Sequence, residues 1–370
     1  MSWSDLPAGL VAAIADELTD LPADLARFRS VCPSWRSATA AHAVRVPLLL
    51  LPTEGSRGYR RFWSVADDRL REIPVPANHA FLFASYHGWM LAVARDMRAT
   101  LVFPFTGDSA GLPTLPFSSS SGDAEEKTIR DLAWDWSPHG VVVSPGKGEG
   151  AFFCRQGDES WRPIGCSSAR VTSITYCQGS FYLFDGSTCT GTVVDAETQA
   201  VVAEITKPPT LKTPSPWHSE ANLVVSPGEL LLLVRTQLLH TGYVVFSDMF
   251  KVFRADRAAG GGRSPGGWSE VVGGGIGDRA VFVDHFRAFC VEASGVNGVR
   301  GNCMYGASAH EEVNDDYGMD VNGRYTVEML DLADLTTKSL WNNDVLCLCV
   351  LKSLDSWFSS PNSQGVKIKL

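Results

Sequence analysis

Six segments of the chain repeat one pattern: an apolar strand, a turn that contains aspartate, and a second strand that often carries tryptophan or proline. They are residues 62–76, 101–116, 151–165, 191–205, 251–272 and 325–341. Their turn aspartates are Asp67, Asp108, Asp158, Asp195, Asp256 and Asp331. Self-similarity of this kind is the signature of a repeat architecture. Between the copies lie further strand–turn–strand pairs at residues 80–94, 137–145, 175–186, 222–235 and 279–293, the turn containing glycine in the first four. One pair of each kind makes a four-stranded unit. Four-stranded units in succession are the blades of a β-propeller, a plan that leaves few exposed strand edges. Six blades are expected, with seven blades or a two-sheet sandwich as alternatives. The first copy lacks a leading pair, which the C-terminal runs 345–351 and 366–370 could supply. Aspartate in a turn bonds its own backbone two residues on, so these six are read as structural rather than catalytic.

The first forty residues break the β rhythm. Leu6, Leu10, Ile14 and Leu18 recur every fourth residue, on one side of a helix. Asp5 fits an N-cap and Pro7 a first turn. Asp20 and Pro22 mark a break; Leu21, Leu25 and Phe28 then follow at helical spacing, and Pro33 opens a third helix through Trp35, Ala38 and Ala41. Three helices this short cannot enclose so many large apolar side chains. Segments of this size normally need a partner, a metal or a disulfide; no metal-ligand spacing is present, and Cys32 is the one cysteine of the stretch. The expected fold is therefore a small all-α module of three helices over residues 1–44, followed by an all-β propeller over residues 45–370.

The order Leu6-Pro7, Leu10, Ile14, Leu18, Leu21, Asp24-Leu25, Arg27, Val31-Cys32 and Trp35-Arg36 resembles an F-box. Pro33 departs from the pattern, standing where the family often has a basic residue. The resemblance implies docking to the small Skp-type adaptor of a Skp/cullin/F-box ubiquitin ligase. The adaptor-binding residues it implies are Leu6, Pro7, Leu10, Ile14, Leu18, Leu21, Leu25, Phe28, Val31, Cys32 and Trp35. Amphipathic helices that offer apolar anchors to a groove are a recurrent mode of recognition. The bland alternative is that these helices cap the following domain and bury their apolar side against it. The runs HGWMLAV (87–93), GDRAVFV (277–283) and RGNCMYG (300–306), in this order behind such a module, resemble the kelch-like, KIB-type propeller of plant F-box proteins. This second resemblance implies the architecture and a plant origin, and it names no substrate.

Composition narrows the partners. The net charge is −9, against broad binding to nucleic acid or an anionic membrane. The longest apolar runs, such as 48–51 and 230–234, are far too short to span a bilayer. The N-terminus lacks the basic and apolar regions of a secretory signal. Nine scattered cysteines include no CxxC pair; Cys347 and Cys349 come nearest. They read as reduced thiols, which suits the cytoplasm or nucleus.

Letter patterns of cofactor and metal sites occur without the context their chemistry needs. GIGDRA (275–280) spells a dinucleotide fingerprint, but a strand-like run follows where a helix is required. GKGEG (146–150) lacks P-loop spacing. The acidic run 314–328 fails at both ends of a calcium loop. The eight histidines show no metal spacing, and His87 and His139 each precede glycine at a hairpin-like position. No cofactor, metal or catalytic residue is therefore expected. The expected function is the substrate-recognition subunit of a ubiquitin ligase, its propeller binding an unidentified target protein. The alternatives are a propeller hydrolase with a channel site and a non-degradative interaction protein. Three interruptions, at 106–126, 255–267 and 310–320, are read as solvated loops.

Overall fold

The computed structural model describes residues 3–18, 28–29, 31–39, 48–50, 59–64, 69–74, 81–84, 89–103, 108–117, 132–145, 150–166, 170–211, 219–226, 229–240, 245–256, 267–271, 275–283, 288–295, 298–310 and 324–342. The chain divides into two compact units. One is Met1–Thr114 with Gly295–Val299 and Cys349–Leu370; the other is Leu115–Ser294 with Arg300–Leu348.

In the first unit a 3-10 turn, Trp3–Asp5, precedes helix α1, Ala8–Asp16, and helix α2, Pro33–Ala38. Two antiparallel sheets follow. The first joins β1 (Leu48–Leu50), β2 (Tyr59–Ser64) and β3 (Arg69–Pro74). The second is a meander of β4 (Phe81–Ala84), β5 (Met90–Val93), β6 (Ala99–Val102) and β7 (Ser109–Leu112).

The second unit holds two more four-stranded meanders. One comprises β8 (Ala133–Ser137), β9 (Gly140–Ser144), β10 (Ala151–Cys154) and β11 (Arg162–Ile164); the other β12 (Ser173–Cys177), β13 (Ser180–Asp185), β14 (Thr190–Asp195) and β15 (Val201–Ile205). A further meander, β16 (Ser219–Ser226), β17 (Glu229–His240), β18 (Val245–Ala255) and β19 (Trp268–Glu270), is one half of a nine-stranded sheet. The other half comprises β20 (Arg279–Val283), β21 (Ala288–Glu292), β22 (Cys303–His310), β23 (Arg324–Asp331) and β24 (Thr337–Asn342), ordered β21-β20-β22-β23-β24. The halves meet through one parallel bridge, Val224 to Ala288, and β20 pairs β22 in parallel.

Each of the six copies becomes a hairpin: β2–β3, β6–β7, β10–β11, β14–β15, β18–β19 and β23–β24. The intervening pairs form β4–β5, β8–β9, β12–β13, β16–β17 and β20–β21. Consecutive sheets of the second unit stack face on face. Val142, Phe153, Phe181 and Leu183 share one core; Phe184, Val193, Leu223 and Phe253 share the next; Val224, Leu231, Val281 and Leu330 share a third. Burying each such side chain contributes about 1.5–3 kcal/mol. The inner strands β9, β13 and β14 are covered on both faces, whereas the outer strands β11, β15 and β19 keep exposed residues.

A buried carboxylate ties two sheets together. Asp135 of β8 accepts the backbone N–H of Trp136 at 2.9 Å and that of Tyr176, on β12, at 2.7 Å. Gly140 opens β9 at φ 151°, where an added Cβ would fall 2.5 Å from the Cys154 carbonyl oxygen. Only glycine fits this turn. His139 stands beside it, its N–H donating to the Ser137 hydroxyl at 3.1 Å, so it is a turn residue.

The expected three-helix module is not found among the described residues. The described N-terminal residues hold two α-helices and the 3-10 turn; Phe28 and Arg29 are helical, while Leu21 and Leu25 lie outside the described residues. Both α-helices are far shorter than the length at which a helix persists in water by itself. They are held only where side chains are buried: at Val11 and Ala15 of α1, at Trp35 of α2, and at Arg29 and Thr39. Asp5 belongs to the 3-10 turn and does not cap α1; Pro7 is the N-cap, with no side-chain cap bond. Pro33 opens α2 as its sequence position implies. The boundary between residues 44 and 45, the C-terminal runs 345–351 and 366–370, and the insertion 311–320 also fall outside the described residues. The interruption expected over 106–126 contains β7.

Candidate functional site

Helix α1 presents its larger apolar side chains to solvent. Leu10 is 55% exposed and Ile14 39%, whereas Val11 and Ala15, one position further on, are buried. The helical period marked Leu10 and Ile14 as one face; it does not say which face the fold covers. Val31, just before α2, is 56% exposed, and Trp3, in the 3-10 turn, 73%. Isolated apolar residues at a surface are ordinary. Four large ones within one short segment are concentrated, since the rest of the described chain exposes only Val201, Val202 and Leu335.

The other residues implied for adaptor binding divide. Pro7 is exposed. Leu6, Leu18, Phe28 and Cys32 are half-buried, with Leu6 and Leu18 beyond the ends of α1. Trp35 is only 8% exposed and faces inward. Its ring packs on Phe28 with centroids 4.4 Å apart, and its indole N–H donates to the Trp3 carbonyl at 3.0 Å. Trp35 and Leu10 therefore do not share a surface. Trp3 was missed by sequence reasoning, because it precedes the helical period; a tryptophan three residues ahead of Leu6-Pro7 was the one signal.

The segment is secured at the far end of α2. Arg29, fully buried, donates to the Thr39 carbonyl and to the Thr39 hydroxyl, the latter at 3.4 Å. That hydroxyl in turn donates to the Trp35 carbonyl at 2.8 Å. A cation among the last carbonyls of a helix satisfies groups that the helix itself leaves open. Burial, and then the charge of Arg29, push the Arg36 guanidinium below its ordinary value. At the start of α2, burial raises the Cys32 thiol, but the Ser34 hydroxyl 3.0 Å away, the backbone N–H groups of Trp35 and Ser34, and Arg36 outweigh it. The net effect is a lowered pKa.

The β units offer structural chemistry. Asp195 accepts the N–H groups of Glu197 and Thr198 at 3.2 and 3.0 Å, and Asp331 that of Ala333 at 3.0 Å. Asp158 accepts the Arg155 N–H at 2.9 Å, and Asp256 the Ser269 hydroxyl at 2.6 Å. Asp195 and Asp331 make the turn bond two residues on, whereas Asp158 bonds a residue before it and Asp256 a hydroxyl across the hairpin; Asp67 and His87 lie outside the described residues. The glycines of GIGDRA lead into strand β20, so no helix N-terminus faces a pyrophosphate there. Among the described residues no three His, Cys, Asp or Glu side chains gather as a metal site, and no helix is long and apolar enough to cross a membrane. The seven described cysteines are free thiols. Burial pushes Cys154 and Cys189 up to about 11.

Comparison with known proteins adds three findings. A family model described as the KIB1-4 beta-propeller matches residues 62–327. An F-box protein of Arabidopsis thaliana is 25% identical over 183 residues; the match covers 44% of this chain and 45% of that protein, so less than half of the relative's length is spanned. Among solved structures, the tricorn protease aligns at a TM-score of 0.41 and 12% identity, over 81% of this chain and 31% of its own. A chain of a nidogen/laminin complex aligns at 0.39 and 9% identity, over 83% and 97%. Likeness at that level carries nothing about activity.

Proposed function

The chain belongs to the KIB1-4 beta-propeller family, and from that premise we propose that it is the substrate-recognition subunit of a Skp/cullin/F-box ubiquitin ligase. Its N-terminal helical segment docks a Skp-type adaptor, and through it a cullin. Its β units bind a target protein. The distant F-box relative supports the adaptor as partner.

One observation carries this reading: the solvent-facing set Leu10, Ile14 and Val31, on a segment whose opposite side is already buried at Val11, Ala15 and Trp35. The segment buries Val11, Ala15 and Trp35, and its largest aliphatic side chains remain available. Helix recognition in a groove uses such i and i+4 anchors. The alternative of a module that caps the β units through this face would require Leu10 and Ile14 to be covered, and they are not.

The chain supplies no catalytic group in this proposal. It holds the target near a ubiquitin-carrying enzyme recruited elsewhere in the complex, and effective concentration does the rest. Its free thiols suit the reducing cytoplasm or nucleus. The test is capture of a purified Skp-type adaptor by the full chain and by the double variant Leu10→Ala, Ile14→Ala. Both side chains are exposed, so the variant is expected to melt like the parent while adaptor capture is lost. Undiminished capture would overturn the reading. Target turnover in cells that carry the same variant then separates a degradative receptor from a sequestering one.

A further inference from the structure

We propose that Trp3 and Trp35 act as one coupled unit at the docking face. Trp3 is the aromatic anchor that enters the adaptor, and Trp35 is a positioning residue that holds Trp3 outward without meeting the adaptor itself. The inference rests on the adaptor-docking reading above and changes the role that the F-box resemblance gives Trp35.

The two indoles are placed oppositely. Trp35 is 8% exposed, packed against Phe28, and lies on a helix tied down by Arg29 and Thr39. Trp3 is 73% exposed, the largest fraction among the exposed large apolar residues described. Between them runs a single polar link, the Trp35 indole N–H donating to the Trp3 carbonyl at 3.0 Å. The Leu6 N–H donates to the same oxygen at 3.4 Å, closing the 3-10 turn. Trp3 thus has a fixed backbone and an unburied side chain.

That combination is what an interface anchor requires. Tryptophan is enriched among the residues that dominate binding, and an anchor ordered before contact loses less freedom on association. A turn of three residues has no hydrogen-bond ladder to fix it, so the Trp35 N–H, reaching it from 32 residues away, is a long-range bond that helps to set its position. Leu10, Ile14 and Val31 would then form the aliphatic part of the same face. The occupant is the Skp-type adaptor, the partner to which the F-box relative points.

A double-mutant cycle, read by titration calorimetry of the full chain with purified Skp-type adaptor, tests the coupling. Trp3→Ala is expected to weaken binding about 30-fold or more, the loss typical of an anchor. Trp35→Phe keeps a ring in the core and removes the N–H; it is expected to weaken binding about fivefold, the worth of one net hydrogen bond. The double variant should bind no more weakly than Trp3→Ala alone, because without the anchor its positioning no longer matters. Additive losses would show Trp35 acting through the fold in general and would overturn the coupling. Trp3→Ala binding like the parent chain would overturn the anchor, and this arm decides alone if Trp35→Phe does not fold. A parent chain with no affinity for the adaptor removes the docking reading itself, a result distinct from either.

Discussion

The meander β12–β15 and helix α1 spend similar apolar residues in opposite ways. In the meander Phe181, Leu183, Phe184, Val193 and Val194 are all buried, divided between the cores shared with the sheets on either side. In α1 the two largest side chains, Leu10 and Ile14, point to water while Val11 and Ala15 are covered. Only the edge strand β15 of that sheet leaves Val201 and Val202 exposed, and its inner strands use up their apolar surface inside the chain. A nine-residue helix with one covered side does not. The difference separates the part of the molecule that holds itself together from the part that has binding surface to spare.

Truncation should expose this contrast most strongly. Phe184→Ala removes a fully buried ring from the core that β12–β15 shares with β16–β19, and a loss of about 3–5 kcal/mol in denaturant unfolding is expected. Leu10→Ala, on the exposed face of α1, should change stability by no more than about 0.5 kcal/mol. Equal losses at the two sites would erase the distinction.

Asp135→Asn probes how the β units are joined. An amide can accept at one oxygen only, so either the Trp136 or the Tyr176 N–H then faces a second donor. A loss of about 1–3 kcal/mol is expected, read as a lower midpoint at unchanged slope. Adaptor binding should not alter, and a change in it would break the separation between the two regions.

Thiol chemistry gives a smaller and more local contrast. Cys32 is held below its ordinary value at the start of α2, whereas burial puts Cys154 and Cys189 at about 11. Iodoacetamide at pH 8 should label Cys32 well before the two sheet cysteines, since the thiolate is the reacting form. The same shifts set a pH dependence. Both sheet thiols are raised above 9.0, so the folded state binds their protons more tightly than the unfolded state. Their contribution is complete below pH 9 and is lost as pH rises toward 11. Replacing both with alanine should flatten that decline in an unfolding series. An unchanged decline would assign it to other groups.

The β hairpins were legible because their signals are local. Two apolar runs and a turn aspartate such as Asp195 lie within one short stretch, so the hairpin signal needs nothing remote in sequence. Which strands become neighbours was not legible. The parallel pairing of β20 with β22, and the bridge from β16 to β21, depend on contacts remote in sequence. The N-terminal segment shows the same limit from the other side. Spacing marks Leu10 and Ile14 as one face of a helix, yet it predicts three helices where the described residues hold two, and the F-box resemblance groups Trp35 with the exposed leucines. Trp35 is instead buried, because its ring has Phe28 to pack on and its N–H has the Trp3 carbonyl to meet. Trp3 escaped notice because it carries no period at all.

Hydrogen exchange on the full chain, with and without a purified Skp-type adaptor, addresses the docking surface most directly. Slowed exchange confined to the backbone of the 3-10 turn, α1 and α2, with β8 to β15 unaffected, is the result this account predicts. Protection that appears in those strands instead, or no protection anywhere at saturating adaptor, would contradict it.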